Sequence, residues 1–286
     1  MRKDKDYHLT DPTWCKGCGI YGIFAALKKV AATLDLDPEQ LVIVTGIGCH
    51  GRLNNYFLSY GFHALHGRTL PVASGVKLSN PSLSVLAISG DGDAYSIGLG
   101  HFIHSLRWNI NITYLVVDNR IYALTQGQTS PTSETGFVSV STPYGSKELN
   151  LNGPQLALAS GGSFIARGFS GDPAQLSRLI KKGMRHKGFA LIEVLSPCVT
   201  HNKVNTYNWF KKNIYNLDDD SNYDAKDKMK AWKKLSAEKK IPLGLIYVEK
   251  RPSYEDLVFR KEAEPIVSGD LGVDAPRLEK IMEKFK

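Results

Sequence analysis

Four runs of consecutive apolar residues divide the chain. They are residues 41–45 (LVIVT), 84–89 (SVLAIS), 112–117 (ITYLVV) and 190–195 (ALIEVL). An uninterrupted apolar run of this length is typical of a strand that is covered on both faces, as in a parallel sheet with helices on either side. Each run is followed by a glycine or a polar residue, so the pattern predicts buried strands whose carboxyl ends carry turns.

Apolar residues at helical spacing separate these predicted strands. The spacing predicts helices over residues 94–108, 154–160 and 172–187, the last with Asp172 as its N-cap, and a first helix from near Gly19 that buries Ile23, Ala26, Leu27 and Val30. A further strand is predicted over residues 164–168. Alternating strands and helices predict an α/β fold with a doubly wound, mainly parallel sheet, which the strand ending at Leu195 is expected to close.

Two parts of the chain lack this pattern. Residues 125–146 are rich in Thr, Ser, Gly and Pro, and a long segment of this kind is typical of a binding loop. From about Lys203 the chain carries charge clusters, a predicted lysine-rich helix over residues 225–240 and an apolar stretch over 243–248. We therefore expect one domain over residues 1–202 and a charged C-terminal extension over residues 203–286.

The composition narrows the class of protein. The 286 residues are 42% hydrophobic, and no apolar stretch approaches the roughly 20 residues needed to cross a bilayer. The polar, mixed-charge N-terminus is unlike a secretory signal, so we expect a cytoplasmic protein with no membrane partner. The formal net charge of +8 would attract acidic partners or nucleic acid. Since the aromatic residues are not interleaved with lysines in a nucleic-acid-binding motif, no nucleic acid partner is expected.

Polar residues with metal-binding chemistry follow two neighbouring strands. Gly90, Asp91 and Gly92 come after one strand, and Asp118 and Asn119 come after the next. Glycines let the backbone approach a phosphate, while Asp and Asn oxygens suit Mg2+. The combination indicates a magnesium diphosphate site and points to thiamine diphosphate. The alternative is a chance glycine turn in an ordinary α/β protein.

The four cysteines also lie at positions that favour a site. Cys15 and Cys18 form a CxxC pair, while Cys49 and Cys198 follow predicted strands. Without a secretory signal, this pattern favours a thiolate metal site over disulfides. Zinc and an iron–sulfur cluster both accept four thiolates, so the sequence leaves the metal open. Proximity to the predicted diphosphate site favours the cluster, because a redox centre has a role beside a thiamine.

Six segments between residues 10 and 215 carry a joint resemblance: WCKGCG, GIGCHGR, LHGRTLPVASGVKLSNP, GDGDAYSIGLGHFIHSLRWN, VVDNRIYALTQGQTSPTS and SPCVTHN. Together they are similar to the β subunit of an archaeal-type 2-oxoacid:ferredoxin oxidoreductase. The resemblance implies the thiamine diphosphate-binding fold and one 4Fe-4S cluster held by Cys15, Cys18, Cys49 and Cys198. It also implies Mg2+ held by Asp91, Asn119 and the main-chain carbonyl of Ile121. The implied cofactor envelope comprises Ile47, Gly48, Cys49, His50, His66, Gly92, Asp93, Ala123 and Leu124.

The resemblance implies an activity that needs a second chain. Enzymes of this family decarboxylate a 2-oxoacid such as pyruvate or 2-oxoglutarate on thiamine diphosphate, pass two electrons one at a time through the cluster to ferredoxin, and transfer the acyl group to coenzyme A. An α subunit, or a fused γα subunit, supplies the glutamate that activates the thiamine. An αβ heterodimer or a higher assembly is therefore implied, and the C-terminal extension is expected to pack on this partner.

His50 and His66 are the candidate catalytic residues, because histidine titrates near neutrality and both lie in the resembling segments. Gln126 stands where similar enzymes often have lysine. This difference leaves open how the substrate carboxylate binds, and whether pyruvate or a longer 2-oxoacid is preferred. The alternative function is a non-redox thiamine diphosphate-dependent decarboxylase or carboligase whose cysteines hold structural zinc.

Overall fold

The four apolar runs form buried strands that lie side by side. In the computed structural model, which describes residues 2–237, 240–259, 266–269, 272 and 274–285, they belong to an eight-stranded sheet. The strands are β1 Leu41–Thr45, β2 Tyr60–His63, β3 Ser84–Gly90, β4 Thr113–Asp118, β5 Phe164–Phe169, β6 Ala190–Leu195, β7 Ile214–Asn216 and β8 Ile241–Val248. Their order across the sheet is β2-β1-β3-β4-β6-β5-β8-β7. β1, β3, β4 and β6 are therefore neighbours, and they run parallel.

Helices cover both faces of the sheet. The α-helices of the described residues are α1 Ile20–Thr33, α2 Thr69–Ser79, α3 Leu99–Trp108, α4 Gly153–Ala159, α5 Pro173–Arg185, α6 Tyr207–Asn213, α7 Lys228–Ala237, α8 Tyr254–Val258 and α9 Ala275–Met282, and all residues of α9 are exposed. Side chains of α1 and α5 share one apolar core with Leu41 and Ile43, while those of α2, α3, α4 and α7 share the other with Val42 and Val44. Successive strand residues point to opposite faces, so one run feeds both cores. The predicted doubly wound α/β fold is confirmed.

Local signals placed most helices correctly. Helix α1 buries the four predicted apolar residues, and the Asp172 side chain accepts a hydrogen bond from Gln175 N at the start of α5. The predicted helix over 94–108 is instead two elements, a wide π-type turn over Asp93–Ile97 followed by α3. The main-chain N–H of Gly98 donates to Asp93 O, five residues back. Such widened turns are frequent at functional sites.

The expectation that the strand ending at Leu195 closes the sheet is wrong. β5 lies outside β6, and β8 adds to the free edge of β5 as an antiparallel strand, with β7 beyond it. The apolar stretch at 243–248 thus finds its partner far back in the sequence. Long-range antiparallel pairing leaves no local signal, which is why periodicity alone missed it.

The C-terminal extension contributes the strands β7 and β8 to the same sheet. Its predicted lysine-rich helix is α7, and residues 238–239 of that prediction lie outside the described residues. In α9 the apolar side chains Leu278, Ile281 and Met282 are exposed. The predicted loop over 125–146 has no helix or strand, as expected. No described helix is both long and apolar enough to cross a membrane.

Candidate active site

The loops after β1, β3 and β4 meet at the carboxyl edge of the sheet, where open α/β sheets bind ligands. They enclose a cavity of about 130 Å³. It is lined by the whole predicted cofactor envelope and the three predicted magnesium ligands: Ile47, Gly48, Cys49, His50, His66, Gly92, Asp93, Ala123, Leu124, Asp91, Asn119 and Ile121. The fold therefore brings these residues together, while their contacts with a cofactor stay predictions.

Asp91, the first predicted metal ligand, is only 2% exposed. Ser130 Oγ donates to its Oδ2 at 2.5 Å, and Thr132 Oγ1 lies 2.6 Å from the same oxygen. Burial raises the pKa of Asp91 to about 6, against the lowering effect of the two hydroxyls. A bound cation stabilises the charged form of such a carboxylate, so this environment fits a metal ligand.

Thr132 connects Asp91 to a second buried acid. Its Oγ1 also lies 2.7 Å from Oδ1 of Asp118. Burial, with the nearby Asp91, raises the pKa of Asp118 to about 7. A hydroxyl carries a single hydrogen, so two hydrogen bonds to these carboxyl groups require one of the acids to be protonated.

The predicted ligands Asn119 and Ile121 lie in a tight turn after β4. Asn119 Oδ1 accepts a hydrogen bond from Ile121 N at 3.1 Å, and Arg120 between them has a left-handed φ of 57°. The main-chain carbonyl of Asn119 accepts from Asn202 Nδ2 at 3.1 Å. The turn is thus held from within by Asn119 and from outside by the loop that follows Cys198.

The Asp93 carboxylate is occupied by protein groups. Its Oδ1 accepts from Gly67 N at 2.7 Å and lies 2.6 Å from His66 Nδ1, while Oδ2 accepts from Ser89 Oγ at 2.6 Å. Burial opposes ionisation of Asp93, but the bonds from Ser89, Gly67 and His66 outweigh it and lower its pKa. A Cβ on Gly46 would come within 1.9 Å of Asp93 Oδ2, so glycine is required there. Asp93 therefore ties together the loops that form the cavity.

His50 has an unsatisfied buried nitrogen. It is 2% exposed, and its Nε2 has no hydrogen-bond partner in the described part of the chain. Burial lowers its pKa to about 4, so the ring is neutral near pH 7. A bound cofactor satisfies an orphaned polar atom of this kind. The residues that line the cavity thus fit thiamine diphosphate with Mg2+.

His66 has the opposite environment. Its side chain is 40% exposed, and its Nδ1 lies 2.6 Å from Asp93 Oδ1. The carboxylate favours the tautomer with hydrogen on Nδ1 and fixes the ring orientation. Nε2 is then the nitrogen that can exchange a proton with a reactant.

All four cysteines line a second cavity, of about 260 Å³. Cys18 N donates to Cys15 O within the CxxC turn, and His201 N donates to Cys198 Sγ at 3.4 Å. Burial raises the pKa of the Cys18 thiol to about 11, and the neighbouring charges of Cys49, Cys198 and Cys15 act in the same direction. The four thiols are therefore gathered around one cavity.

The two cavities adjoin. Five residues line both of them: Ile20, Cys49, Asn119, Ala123 and Leu124. Among the described residues, no group of three or more His, Cys, Asp or Glu side chains is arranged to hold one metal ion. A 4Fe-4S cluster separates its cysteines more widely than a single ion does, because iron and sulfide atoms lie between them. The four-thiol donor set fits such a cluster, and the predicted metal sites stay predictions.

Several residues around these cavities were not predicted from the sequence. Ser130, Thr132 and Asn202 lie in loops without periodicity, and their partners lie far away in the sequence. Tyr122 was missed as well: its ring lies so close to Gly92 that a Cβ there would approach it to 2.1 Å. The cluster of hydroxyls in the SPTS sequence at 130–133 was the one signal that could have been followed.

Comparison with known proteins agrees with this geometry. Residues 46–194 match the family described as thiamine pyrophosphate enzyme, C-terminal TPP binding domain. Residues 198–262 match the family described as the C-terminal part of the pyruvate ferredoxin oxidoreductase beta subunit. The first match contains the predicted diphosphate site, and the second begins at Cys198.

Individual relatives cover most of the chain. The subunit beta of 2-oxoacid:ferredoxin oxidoreductase 2 from Aeropyrum pernix is 42% identical, over 85% of this chain and 82% of the relative. The corresponding subunit from Saccharolobus solfataricus is 39% identical, over 85% and 88%. A solved 2-oxoglutarate:ferredoxin oxidoreductase from Magnetococcus marinus, with 2-oxoglutarate, coenzyme A and succinyl-CoA bound, is 35% identical. It superposes with a TM-score of 0.89 over 100% of this chain and 96% of the other. The chain therefore belongs to the β subunits of the 2-oxoacid:ferredoxin oxidoreductases, and it carries their thiamine pyrophosphate-binding domain.

Proposed function

We propose that this β subunit, with its α subunit, catalyses the coenzyme A-dependent oxidative decarboxylation of a 2-oxoacid and passes electrons one at a time through a 4Fe-4S cluster to ferredoxin. The observation that carries the proposal is the shared wall between the two cavities, to which Cys49 and Asn119 both belong. A predicted cluster ligand and a predicted metal ligand thus line the same partition. This arrangement suits electron transfer over a short distance.

The chain's own residues would hold the cofactors. Asp91 and Asn119 oxygens, with the main-chain carbonyl of Ile121, supply the hard oxygen ligands that Mg2+ prefers beside a diphosphate. When bound, thiamine diphosphate supplies the carbon nucleophile and electron sink for decarboxylation, and the cluster accepts single electrons. Cys15, Cys18, Cys49 and Cys198 would hold the cluster as thiolates, and its positive iron ions would offset the burial that raises the pKa of Cys18 and Cys49.

The two histidines would have different roles. His50 is neutral and buried, so it suits a fixed hydrogen bond to the cofactor. His66 is half-exposed and oriented by Asp93, so its Nε2 suits proton exchange with the 2-oxoacid or with the product. Both histidines line the diphosphate cavity, which supports the proposal that they act on the same bound molecule.

The α subunit would cover the mouth of this cavity. Its lining residues Ile47 and Leu124 are exposed apolar side chains, and so is Leu65, which precedes the lining residue His66. Exposed apolar groups in one region typically mark an interaction surface. Helix α9 also exposes apolar side chains. For the same reason, we propose that the C-terminal extension, residues 203–286, packs on the partner.

The preferred 2-oxoacid depends on the group that binds its carboxylate. Gln126 is exposed, follows the lining residue Thr125 and has a left-handed φ of 77°. An amide binds a carboxylate more weakly than an ammonium group does. The Magnetococcus marinus enzyme binds 2-oxoglutarate and coenzyme A, so 2-oxoglutarate and pyruvate are the two substrates to compare.

The test uses the αβ complex, purified without oxygen. We expect iron in the protein and a broad brown absorption that bleaches when a 2-oxoacid and coenzyme A are added. Cys15→Ser should lose iron and colour, whereas Asp91→Asn should keep the colour and fail to bleach. A colourless, zinc-containing wild-type complex that still decarboxylates the 2-oxoacid would favour the non-redox thiamine enzyme.

A further inference from the structure

The segment 130–133 is largely buried, whereas much of the loop around it is exposed. It lies in the region 125–146, which has no helix or strand and exposes Val138, Val140 and Tyr144. Yet Ser130, Thr132 and Ser133 are between 3% and 6% exposed. We refer to these three residues as the hydroxyl clamp. Burying three hydroxyls of a surface loop costs free energy unless each finds a partner.

The hydroxyl clamp bonds to both loops that carry the predicted metal ligands. Ser130 and Thr132 contact Asp91 Oδ2 at 2.5 and 2.6 Å, and Thr132 also contacts Asp118 Oδ1 at 2.7 Å. Ser133 Oγ donates to Arg120 O at 2.7 Å. Asp91 follows β3, while Asp118 and Arg120 flank Asn119 after β4. The hydroxyl clamp thus ties the end of one strand to the end of its neighbour.

We propose that Ser130 and Thr132 are positioning residues of the magnesium site. Two hydroxyls on Oδ2 stop rotation of the Asp91 carboxylate and leave Oδ1 as the oxygen without a hydroxyl partner. The Thr132 contact with Asp118 keeps Asp91 at a set distance from Asn119. Because Mg2+ demands near-ideal octahedral geometry, fixing both ligands in advance raises its affinity. The inference rests on the proposed function, since it assumes that Asp91 and Asn119 bind the metal.

A purely structural role gives a different expectation. If the hydroxyl clamp only satisfied buried polar groups, its loss would lower the melting temperature and leave metal affinity unchanged. Loss of an outer hydrogen-bond partner of a metal ligand instead weakens metal binding by about 10- to 100-fold. Metal affinity, measured apart from stability, therefore distinguishes the two roles.

The experiment measures Mg2+ binding by the αβ complex after chelation, by calorimetry at saturating thiamine diphosphate. Thr132→Val keeps the volume and removes the hydroxyl, and we expect its Mg2+ dissociation constant to rise about 10- to 100-fold. Thr132→Ser restores the hydroxyl and should bind within a few-fold of wild type. The matched control is Thr135→Val, whose exposed hydroxyl donates to Glu148 O, away from the predicted metal ligands, and it should bind like wild type.

A Thr132→Val complex that binds Mg2+ as tightly as wild type, with only a lower melting temperature, would overturn the inference. If Thr132→Val does not fold, Ser130→Ala removes one of the two hydroxyls on Asp91, and an unchanged affinity there has the same meaning. Mn2+ paramagnetic resonance gives an independent reading of the site geometry. A wild-type complex that binds no metal with thiamine diphosphate would instead refute the proposed function.

Discussion

The two adjoining cavities are built in different ways. On the diphosphate side, the Asp91 and Asp93 side chains are almost fully buried and each receives several protein hydrogen bonds. On the thiol side, Cys15 is exposed, the other three cysteines are half-buried, and the sulfur of Cys198 receives a long bond from His201 N. Buried carboxylates must be satisfied by the protein itself, whereas thiols are weak acceptors that tolerate being left alone. Protein hydrogen bonds thus fix the side chains on the diphosphate side, which we call the organised side. The arrangement of the side chains on the thiol side depends on what they bind.

The largest expected loss of stability follows from a substitution of Asp93, on the organised side. Asp93→Asn replaces the carboxylate, whose two oxygens now meet His66, Gly67 and Ser89, with an amide. The NH2 group of the amide would then face groups that are themselves hydrogen-bond donors. We expect the free energy of unfolding to fall by about 3 kcal/mol. Thermal unfolding of the cofactor-free αβ complex measures this. Ser89→Ala removes one donor to Asp93 and the Ser89 contact with Thr69 Oγ1, and it should cost less, about 1 kcal/mol. Equal losses in both variants would show that Asp93 does not organise the loops.

An intermediate loss of stability is expected from a substitution of Asn202, which lies where the two sides meet. Asn202 is 1% exposed, donates to Asn119 O and Asn205 Oδ1, and accepts from the main chain of Val204 and Asn205. Asn202→Ala should lower the free energy of unfolding by about 2 kcal/mol, since it leaves buried polar groups unpaired.

The same substitution should disturb both sites, because Asn202 links the loop after Cys198 to the turn of Asn119. We expect weaker Mg2+ binding and lower iron retention in one variant, measured by calorimetry and by iron analysis after gel filtration. The exposed Asn222 provides the control, and Asn222→Ala should match wild type. An effect confined to one cofactor would argue that the cavities are independent.

The smallest effect is expected on the thiol side in the absence of iron. Cys15 is exposed, so Cys15→Ser should change the stability of iron-free protein by less than about 0.5 kcal/mol. With iron supplied, the same variant should gain far less stability than wild type, because ligand binding stabilises by mass action. Melting temperatures with and without cluster reconstitution test this. A large loss in the iron-free state would contradict the contrast between the two sides.

Much of the organised side could be predicted from sequence, because its predicted metal ligands follow strands directly. Gly90, Asp91 and Gly92 end one apolar run, and Asn119 follows the next, so neighbouring parallel strands bring them together without help from distant contacts. The whole cofactor envelope was found through resembling segments and lines one cavity. The central strands and the two-faced cover of helices also followed from apolar runs and helical spacing.

The parts that sequence did not predict depend on contacts between distant residues. Ser130 and Thr132 find Asp91 across a loop with no periodicity, and Asn202 finds Asn119 from the loop after β6, 83 residues later in the sequence. Similarly, β8 pairs with β5 although nothing near either strand indicates it. The hydrogen bonds of Asp93 were not predicted for the same reason, since a carboxylate in a motif does not reveal which donors will reach it.

The position of β8 in the sheet leaves one edge of β5 unpaired while the chain is being synthesised. β5 joins β6 on one side, but its other edge stays unpaired until the ribosome has produced residues 241–248. An open strand edge is a template for pairing with other chains. During translation, the nascent protein therefore exposes an unpaired strand edge until residues 241–248 have left the ribosome and paired with β5. Truncation before β8 should accordingly send the protein to aggregates or chaperones rather than yield a smaller enzyme.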